Sequence, residues 1–273
     1  MSTFSEKLTS AQRSSSSILC VGLDPDPDRL PTHLRAKDPA EAVVQFCSEI
    51  IGATSEACCA YKPNLAFFEA LGPSGAAALD QVVRQIPKDR IIIADGKRGD
   101  IGNTAVHYAR SIFDRLGCDA CTVSPYMGSD AVIPFLRKEG AAAFVLIRTS
   151  NPSSAELQMT ILEGSPLYLR VAEMANGWGK GQPGEIGFVV GATDPSSLEL
   201  LRDLYPGVPF LIPGIGAQGG NPEDILRAAR PESSPVVVNA SRSILYAGSG
   251  EDFAERAREA AFAVRDSLNT SKS

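Results

Sequence analysis

Short apolar runs alternate along the chain with segments in which apolar residues recur at helical spacing. The runs are rich in β-branched residues and have the length of buried strands, whereas the spacing between them is typical of amphipathic helices. Eight strands are predicted in this way, at residues 17–22, 58–62, 90–95, 121–124, 142–148, 186–191, 209–213 and 236–240. Helices are predicted at residues 40–54, 103–116, 196–204, 222–229 and 252–268.

The alternation predicts an α/β fold of eight strand–helix units, and such units in about 250 residues make a (β/α)8 TIM barrel. A doubly wound parallel sheet is the alternative, but the count of eight and the lack of GxGxxG after the first strand disfavour it. No linker or shift of composition divides the chain, so residues 1–273 are predicted to form a single domain. Two longer connections, 149–166 and 176–185, are rich in Ser, Pro and Gly and are predicted to be long loops, a kind that often serves as a lid or a binding loop.

The composition is that of an ordinary globular protein, with 44% apolar and 21% charged residues among 273. A net charge of -6 disfavours a broad surface for nucleic acid. The N-terminus is polar and no apolar run approaches the roughly 18 residues of a membrane span. We therefore expect no secretory signal, no membrane association and a cytoplasmic location.

Cysteine and histidine usage limits the chemistry. The six cysteines lie mostly in apolar stretches, where cysteine behaves as a small hydrophobic residue, and the chain has only two histidines. A zinc site is therefore not expected. Acid–base chemistry is expected to use lysines and carboxylates.

Polar residues collect at the carboxyl ends of the predicted strands, which is where barrel enzymes carry their functional residues. The most informative stretch, Asp95-Gly96-Lys97-Arg98-Gly99-Asp100, directly follows the third run. Residues two apart in a strand point the same way, so Asp95 and Lys97 are predicted to share a face. The other rim positions are Asp24, Lys62, Ser124, residues 148–150, Pro213, Gln218 and Arg242. This set predicts an enzyme.

The last two strands are followed by segments suited to a phosphate. Residues 213–221 contain four glycines, which let backbone amides approach an anion, and Arg242 follows the eighth strand. Loops after strands seven and eight commonly bind phosphate in barrels. The chain is therefore predicted to bind a phosphorylated ligand.

The segment Asp95-x-Lys97-x-x-Asp100-Ile101-x-x-Thr104 resembles the signature DxKxxDIxxT of the orotidine 5'-monophosphate decarboxylase family. The resemblance is to the longer bacterial (type 2) form and covers nearly the whole chain. Two positions depart from the pattern: Ser241 stands where many relatives have glycine, and Gly96 stands where a slightly larger small residue is common. Supporting matches are VGLD at 21–24, YKPN at 61–64, RTSNP at 148–152, PGIGAQGG at 213–220 and NASRSI at 239–244.

The resemblance implies decarboxylation of orotidine 5'-monophosphate to uridine 5'-monophosphate (UMP) and CO2, the last step of de novo UMP synthesis, with no metal or other cofactor. It assigns a charged catalytic network to Lys62, Asp95, Lys97 and Asp100, with Lys97 as the proton donor. Substrate binding is implied for Asp24 (ribose), Ile101, Thr104, Ser150 (pyrimidine), Pro213, Gln218 (phosphate side), Ser241 and Arg242 (phosphate). Asp100, Ile101 and Thr104 would reach into the neighbouring subunit's site, which implies a homodimer with shared active sites.

Two alternatives remain at this point. A keto-sugar-phosphate decarboxylase of the same superfamily would use a bound magnesium ion and would need a further carboxylate near the motif, where this chain offers Lys62. A silent nucleotide-phosphate binding barrel would be expected to lack a member of the Asp-Lys-Asp set. This chain retains all three.

Overall fold

The computed structural model describes residues 2–215, 221–232 and 234–270, and all structural statements refer to these ranges. The strands in them are β1 Leu19–Leu23, β2 Ala60–Pro63, β3 Ile91–Arg98, β4 Ala120–Val123, β5 Ala142–Arg148, β6 Ile161–Leu162, β7 Ser165–Pro166, β8 Glu185–Val190, β9 Phe210–Pro213 and β10 Val236–Ala240. The α-helices are α1 Phe4–Ser15, α2 Pro39–Thr54, α3 Leu65–Glu69, α4 Pro73–Gln85, α5 Gly102–Arg110, α6 Ala155–Gln158, α7 Leu167–Gly179, α8 Pro195–Leu204, α9 Pro222–Ala229, α10 Arg242–Leu245 and α11 Phe253–Thr270.

Within the described ranges, eight of these strands close into a barrel in the order β1-β2-β3-β4-β5-β8-β9-β10, and every neighbouring pair is parallel. The two remaining strands, β6 and β7, form an antiparallel hairpin between β5 and α7. The predicted (β/α)8 barrel is therefore confirmed. The doubly wound alternative is wrong, because β1 pairs with both β2 and β10 and leaves the sheet no edge.

Proline and a capping side chain define the start of three outer helices. Asp38, Asp194 and Asn221 each accept hydrogen bonds from first-turn backbone N–H groups, and each is followed by a proline. Such a side chain satisfies a donor that the helix itself leaves free, and the fixed φ of proline suits the first helical position. These local signals explain why the predicted starts of α2, α8 and α9 lie within one residue of the observed ones.

Helix α1 closes the amino-terminal end of the barrel. Its buried residues Phe4, Leu8 and Ala11 pack with the inward-facing side chains at the bottom of the barrel, and the Phe4 ring meets that of Phe144 edge-on at 5.7 Å. The sequence pattern does not predict this helix. Its apolar stripe is only about one residue wide per turn, which is too narrow to stand out from a polar segment.

Two connections differ from the predicted helices. Between β4 and β5 the described chain forms the 3-10 turns Ser129–Ala131 and Ile133–Leu136 in place of an α-helix. Pro134 lies in the second turn and has no backbone N–H to continue a helical ladder. The helix predicted over 103–116 is α-helical only to Arg110 and ends in a π-helical turn, Ser111–Arg115.

The predicted loops contain more structure than their composition indicates. The 149–166 connection holds a 3-10 turn, helix α6 and the β6–β7 hairpin. The prediction of a loop over 176–185 is wrong for its first residues, because α7 continues to Gly179. Trp178 packs there against the core. A Cβ on Gly179 would lie 2.7 Å from Ile186 Cγ1, so this glycine allows the helix to approach β8 closely.

Candidate active site

Four barrel strands carry a buried polar side chain near their carboxyl ends: Lys62 on β2, Asp95 on β3, Thr122 on β4 and Asn239 on β10. Each lies two residues beyond an apolar residue that packs inside the barrel. Because side chains alternate along a strand, all four share the inward face of the sheet. The barrel thus has an apolar lower interior and a polar upper layer.

Asp95 lies between two lysines. Its Oδ2 is 2.6 Å from Lys62 Nζ, and its Oδ1 is 2.6 Å from Lys97 Nζ. The side chains of Lys62 and Asp95 are 5% and 8% exposed, whereas that of Lys97 is 53% exposed. Lys97 is therefore the member of this group that a ligand at the mouth of the barrel can reach.

The pairing determines the charge states of the two buried groups. Burial acts to raise the pKa of Asp95, but Lys62 and Lys97 outweigh it and hold that pKa well below its usual range. Burial acts to lower the pKa of Lys62, but the carboxylates of Asp95 and Asp24 outweigh it and hold that pKa above its usual range. Both groups are thus charged at neutral pH.

The backbone at Lys97 is unusual. Strand β3 does not end at Asp95 as predicted but continues to Arg98, with a break in its register against β4 between Ala94 and Arg98. Within this break Lys97 has φ of +44°, a left-handed conformation that residues other than glycine rarely adopt. Such strained residues persist only where the surrounding structure holds them, and they concentrate at functional sites.

Two adjoining cavities open at this end of the barrel and share the lining residues Lys62, Asp95, Ser150 and Pro213. The rim cavity, about 170 Å³, lies at the ends of β1, β9 and β10 and is also lined by Asp24, Gly214, Asn239, Ser241 and Arg242. The barrel cavity, about 360 Å³, lies over the interior and is also lined by Lys97, Thr122, Leu146, Val189 and Leu211. One end of the combined space is therefore polar with an exposed arginine, and the other has apolar walls beside a lysine.

The rim cavity offers unused hydrogen-bond acceptors. The Oδ1 atoms of Asp24 and Asn239 are buried, and neither has a hydrogen-bond partner among the described residues. The Asn239 amide is oriented by its Nδ2, which donates to Ser241 Oγ at 3.2 Å. Buried acceptors without partners are costly, so both oxygens are suited to a ligand that brings hydroxyl donors.

Three predicted site residues lie apart from this group in the same chain. Asp100, Ile101 and Thr104 line neither cavity, and Ile101 is 54% exposed. Asp100 accepts a hydrogen bond from the backbone N–H of Ile101 at 2.8 Å and forms no ion pair within the described residues. Gln218 lies outside the described residues.

Sequence reasoning missed Thr122 and gave no role to Asn239. The missing signal was the period of two along each strand, which places Thr122 two residues after the inward-facing Ala120. A third missed feature is the support of the loop that carries Ser150. Gln158 Oε1 accepts from the Thr149 N–H at 2.9 Å, and its Nε2 donates to Thr149 Oγ1 at 2.8 Å.

The fold and the site together define a (β/α)8-barrel enzyme whose acid–base groups are lysines and carboxylates. The chain belongs to the orotidine 5'-phosphate decarboxylase / HUMPS family, whose model matches residues 17–257.

Similar proteins cover the chain almost completely. It is 50% identical over 269 residues to an orotidine 5'-phosphate decarboxylase of Roseiflexus castenholzii, spanning 97% of each chain. It is 48% identical over 270 residues to that of Roseiflexus sp., spanning 98% of this chain and 97% of the relative. The solved structure of Leishmania donovani OMP decarboxylase superposes with a TM-score of 0.85 at 40% identity and covers 99% of both chains.

The described ranges contain no group of three or more His, Cys, Asp or Glu side chains arranged to hold a metal ion. None of their helices has the length and apolarity that a membrane crossing requires.

Proposed function

We propose that this protein converts orotidine 5'-monophosphate to UMP and CO2, the last step of UMP synthesis. The observation that carries the proposal is the Lys97 ammonium, which Asp95 holds at 2.6 Å on the wall of the barrel cavity. Relatives at about half identity over nearly the full length bear the name of this activity. The chain also retains Asp95, Lys97 and Asp100 of the family signature and Lys62 of the YKPN match at 61–64.

The chemistry needs one cation and one proton at a single carbon atom. When the bond between C6 and the carboxyl carbon breaks, CO2 leaves and the electron pair stays on C6 as a vinylic carbanion. Lys97 stabilises this charge and donates a proton from Nζ to C6, which gives UMP and a neutral lysine that regains its proton from water.

Carbanion stabilisation must contribute more than repulsion of the substrate. At ~4 Å and an effective dielectric constant near 20, repulsion between Asp95 and the substrate carboxylate is roughly 4 kcal/mol. For the slowest uncatalysed reactions an enzyme must supply on the order of 20 kcal/mol or more. The interaction of Lys97 with the developing carbanion, together with remote binding energy, is therefore the larger contribution.

The two cavities suit the two halves of the nucleotide. In the rim cavity, Arg242 binds the phosphate and Ser241 borders it, while the acceptor oxygen of Asp24 receives ribose hydroxyl donors. The pyrimidine ring lies toward the barrel cavity, with Ser150 and Pro213 at the junction. Gln218 contributes on the phosphate side.

A homodimer completes each site. Asp100, Ile101 and Thr104 do not line the cavities of their own chain, and all three lie at or near its surface. We assign them to the site of the partner subunit, where Asp100 extends the alternation of charges beyond Lys97. The particular support is that Asp100 has no cationic partner within the described part of its own chain.

The test is to add orotidine 5'-monophosphate to purified, chelator-treated protein and follow the loss of its ultraviolet absorbance. Conversion to UMP by the wild type but not by Lys97→Ala supports the reaction, its independence of a metal ion and the role of Lys97. Binding without conversion would contradict the proposal and favour a silent nucleotide-phosphate binding barrel. No response, followed by turnover of a keto-sugar phosphate with magnesium, would favour the superfamily alternative.

A further inference from the structure

Thr122 connects the two most important residues of the candidate site. Its Oγ1 donates a hydrogen bond to Asp95 Oδ1 at 2.8 Å and accepts one from the backbone N–H of Lys97 at 2.9 Å. The same Asp95 Oδ1 is the atom that contacts Lys97 Nζ. The Thr122 hydroxyl therefore holds both the Asp95 carboxylate and the backbone of Lys97. The ammonium of that same Lys97 is bound by the Asp95 carboxylate.

The two hydrogen bonds fix the direction of the hydroxyl. A threonine hydroxyl has one proton, and here that proton points to Asp95, so a lone pair faces the Lys97 amide. Thr122 is itself immobilised on β4, with only 2% of its surface exposed. Its branched side chain also has few rotamers to choose from.

The Lys97 backbone is where such support is needed. Its φ of +44° lies in the left-handed region, in a segment where β3 loses its regular register with β4. An irregular strand loses hydrogen bonds of the regular ladder between backbone groups. Here the Thr122 hydroxyl, in place of a backbone carbonyl, accepts the hydrogen bond from the Lys97 N–H.

We infer that Thr122 is a positioning residue for decarboxylation: its hydroxyl holds Lys97 in the left-handed turn and orients the Asp95 carboxylate, so that the ammonium is presented to the reacting carbon. This inference rests on the proposed function. It assigns Thr122 no contact with the reacting atoms; its effect passes through Lys97 and Asp95.

The discriminating variant is Thr122→Val, which keeps the shape of the side chain and removes both hydrogen bonds. A misplacement of about 1 Å in a reacting group costs roughly 100-fold in rate, so we expect kcat to fall by about that factor. KM and the inhibition constant for UMP are expected to change by less than about threefold, because the phosphate and ribose contacts lie in the rim cavity. Thr122→Ser retains the hydroxyl and is expected to stay within about fivefold of the wild-type kcat.

Thr54→Val is the matched control. Thr54 is also fully buried and also makes two hydrogen bonds, to the Ile50 carbonyl at 2.7 Å and with the Tyr61 hydroxyl at 2.9 Å, but it lies on α2 away from the cavities. We expect this variant to lose stability and keep its kcat. A general loss of packing would affect both valine variants alike.

The outcomes separate the two proposals. If the wild type converts orotidine 5'-monophosphate and Thr122→Val retains its kcat, the inference is wrong while the proposed function stands. If the wild type does not convert it, both fall. Should Thr122→Val fail to fold, Thr122→Ala and Thr122→Ser give the same comparison, since they differ only in the hydroxyl. Equal kcat values for that pair would overturn the inference.

Discussion

The hydroxyl oxygen of Ser241 lies 1.9 Å from the point that a Cβ on Gly22 would occupy. The pairing between β1 and β10 ends at Val21 and Ala240, and Gly22 and Ser241 are the next residue on each side. The serine side chain therefore fills the space that the glycine leaves. Ser241 stands where the family resemblance favours glycine, and Gly22 is what accommodates it. The Ser241 hydroxyl in turn accepts the hydrogen bond from Asn239 Nδ2.

This relationship predicts that Gly22→Ala is harmful and that a second substitution rescues it. The added methyl group would collide with Ser241, and overpacking of this kind typically costs about 1–3 kcal/mol. We expect weaker inhibition by UMP and a lower unfolding midpoint in urea. Both should recover in Gly22→Ala/Ser241→Gly, which restores the space.

Gly52→Ala is the control for this pair. Gly52 lies inside α2, and a Cβ there would meet no atom within 4 Å. Alanine in an open helical position stabilises by roughly 0.5–1 kcal/mol relative to glycine. If the double variant binds UMP no better than Gly22→Ala, then contact with Ser241 is not the cause of the defect.

The proposed homodimer with shared sites predicts complementation between two inactive variants. Lys97→Ala and Asp100→Ala should each lose at least about 1000-fold in kcat, because each removes a charge from every site. Random subunit exchange gives hybrid dimers with one intact site and one site that lacks both groups. We expect an equal mixture to recover about a quarter of wild-type activity.

Exchange is checked by native mass spectrometry with one variant carrying a mass tag. A mixture of Lys97→Ala with Lys97→Ala/Asp100→Ala provides the control, since no dimer of that pair contains an intact site. Confirmed exchange without recovered activity would place Asp100 in the site of its own chain.

The sequence predicted the barrel and most of the rim because both depend on local patterns. The β-branched runs mark the strands, and the pairs Asp-Pro and Asn-Pro mark helix starts, so bounds such as Val236–Ala240 and Pro222–Ala229 agree with the structure. The period of two along a strand predicted that Asp95 and Lys97 share a face. What it could not give is the left-handed turn at Lys97.

The features that escaped prediction arise from contacts between distant segments. Nothing in the sequence distinguishes Thr122 from other strand residues. Its contacts with Asp95 and Lys97 arise only because β4 lies beside β3 in the barrel. Helix α1 is polar except for a narrow apolar stripe. That stripe is buried only because the helix packs across the amino-terminal end of the barrel. Trp178 extends α7 because it packs against the core, which outweighs the glycines on either side.

The buried pair of Lys62 and Asp95 predicts a specific pH dependence. The pKa of Asp95 is lowered, so its stabilising contribution is present above its unfolded pKa of about 3.9 and is lost as pH falls through the folded value. The pKa of Lys62 is raised, so its contribution is present below about 10.4 and is lost as pH rises through the folded value. Between about pH 5 and 9 the contribution of the pair to wild-type stability should therefore be constant.

Asp95→Asn should change this behaviour. Lys62 would stay buried without its 2.6 Å carboxylate partner, and breaking a buried pair in this way costs about 3–5 kcal/mol. Burial would then lower the pKa of Lys62, so the unfolded chain would bind more protons than the folded one and stability would rise from pH 7 to 10. Urea unfolding at several pH values measures this, with the exposed Asp252→Asn as the control. Parallel curves for Asp95→Asn and the wild type would show that Lys62 keeps its charge by other means.

Arg202 predicts a purely structural effect outside the site. Arg202 is 1% exposed, and its guanidinium donates to the carbonyls of Ala229 and Val208 at 2.7 and 2.9 Å and lies 3.7 Å over the Phe210 ring. Burial lowers its pKa to about 10, so it remains charged at neutral pH. Arg202→Met would retain most of the bulk but leave the Ala229 carbonyl without its side-chain donor, whereas the Val208 carbonyl keeps the Ser234 hydroxyl at 3.1 Å. We expect a loss of about 1–3 kcal/mol in the free energy of unfolding.

The matched variant is Arg84→Met. The Arg84 side chain is 69% exposed and pairs with Asp80 at the surface of α4, where such pairs contribute about 0.5 kcal/mol or less. Urea unfolding should separate the two variants clearly, while kcat at 25 °C should remain at the wild-type value in both, because neither side chain approaches the cavities. Equal unfolding midpoints for the two would mean that water or a rearranged loop satisfies the Ala229 carbonyl once the guanidinium is gone.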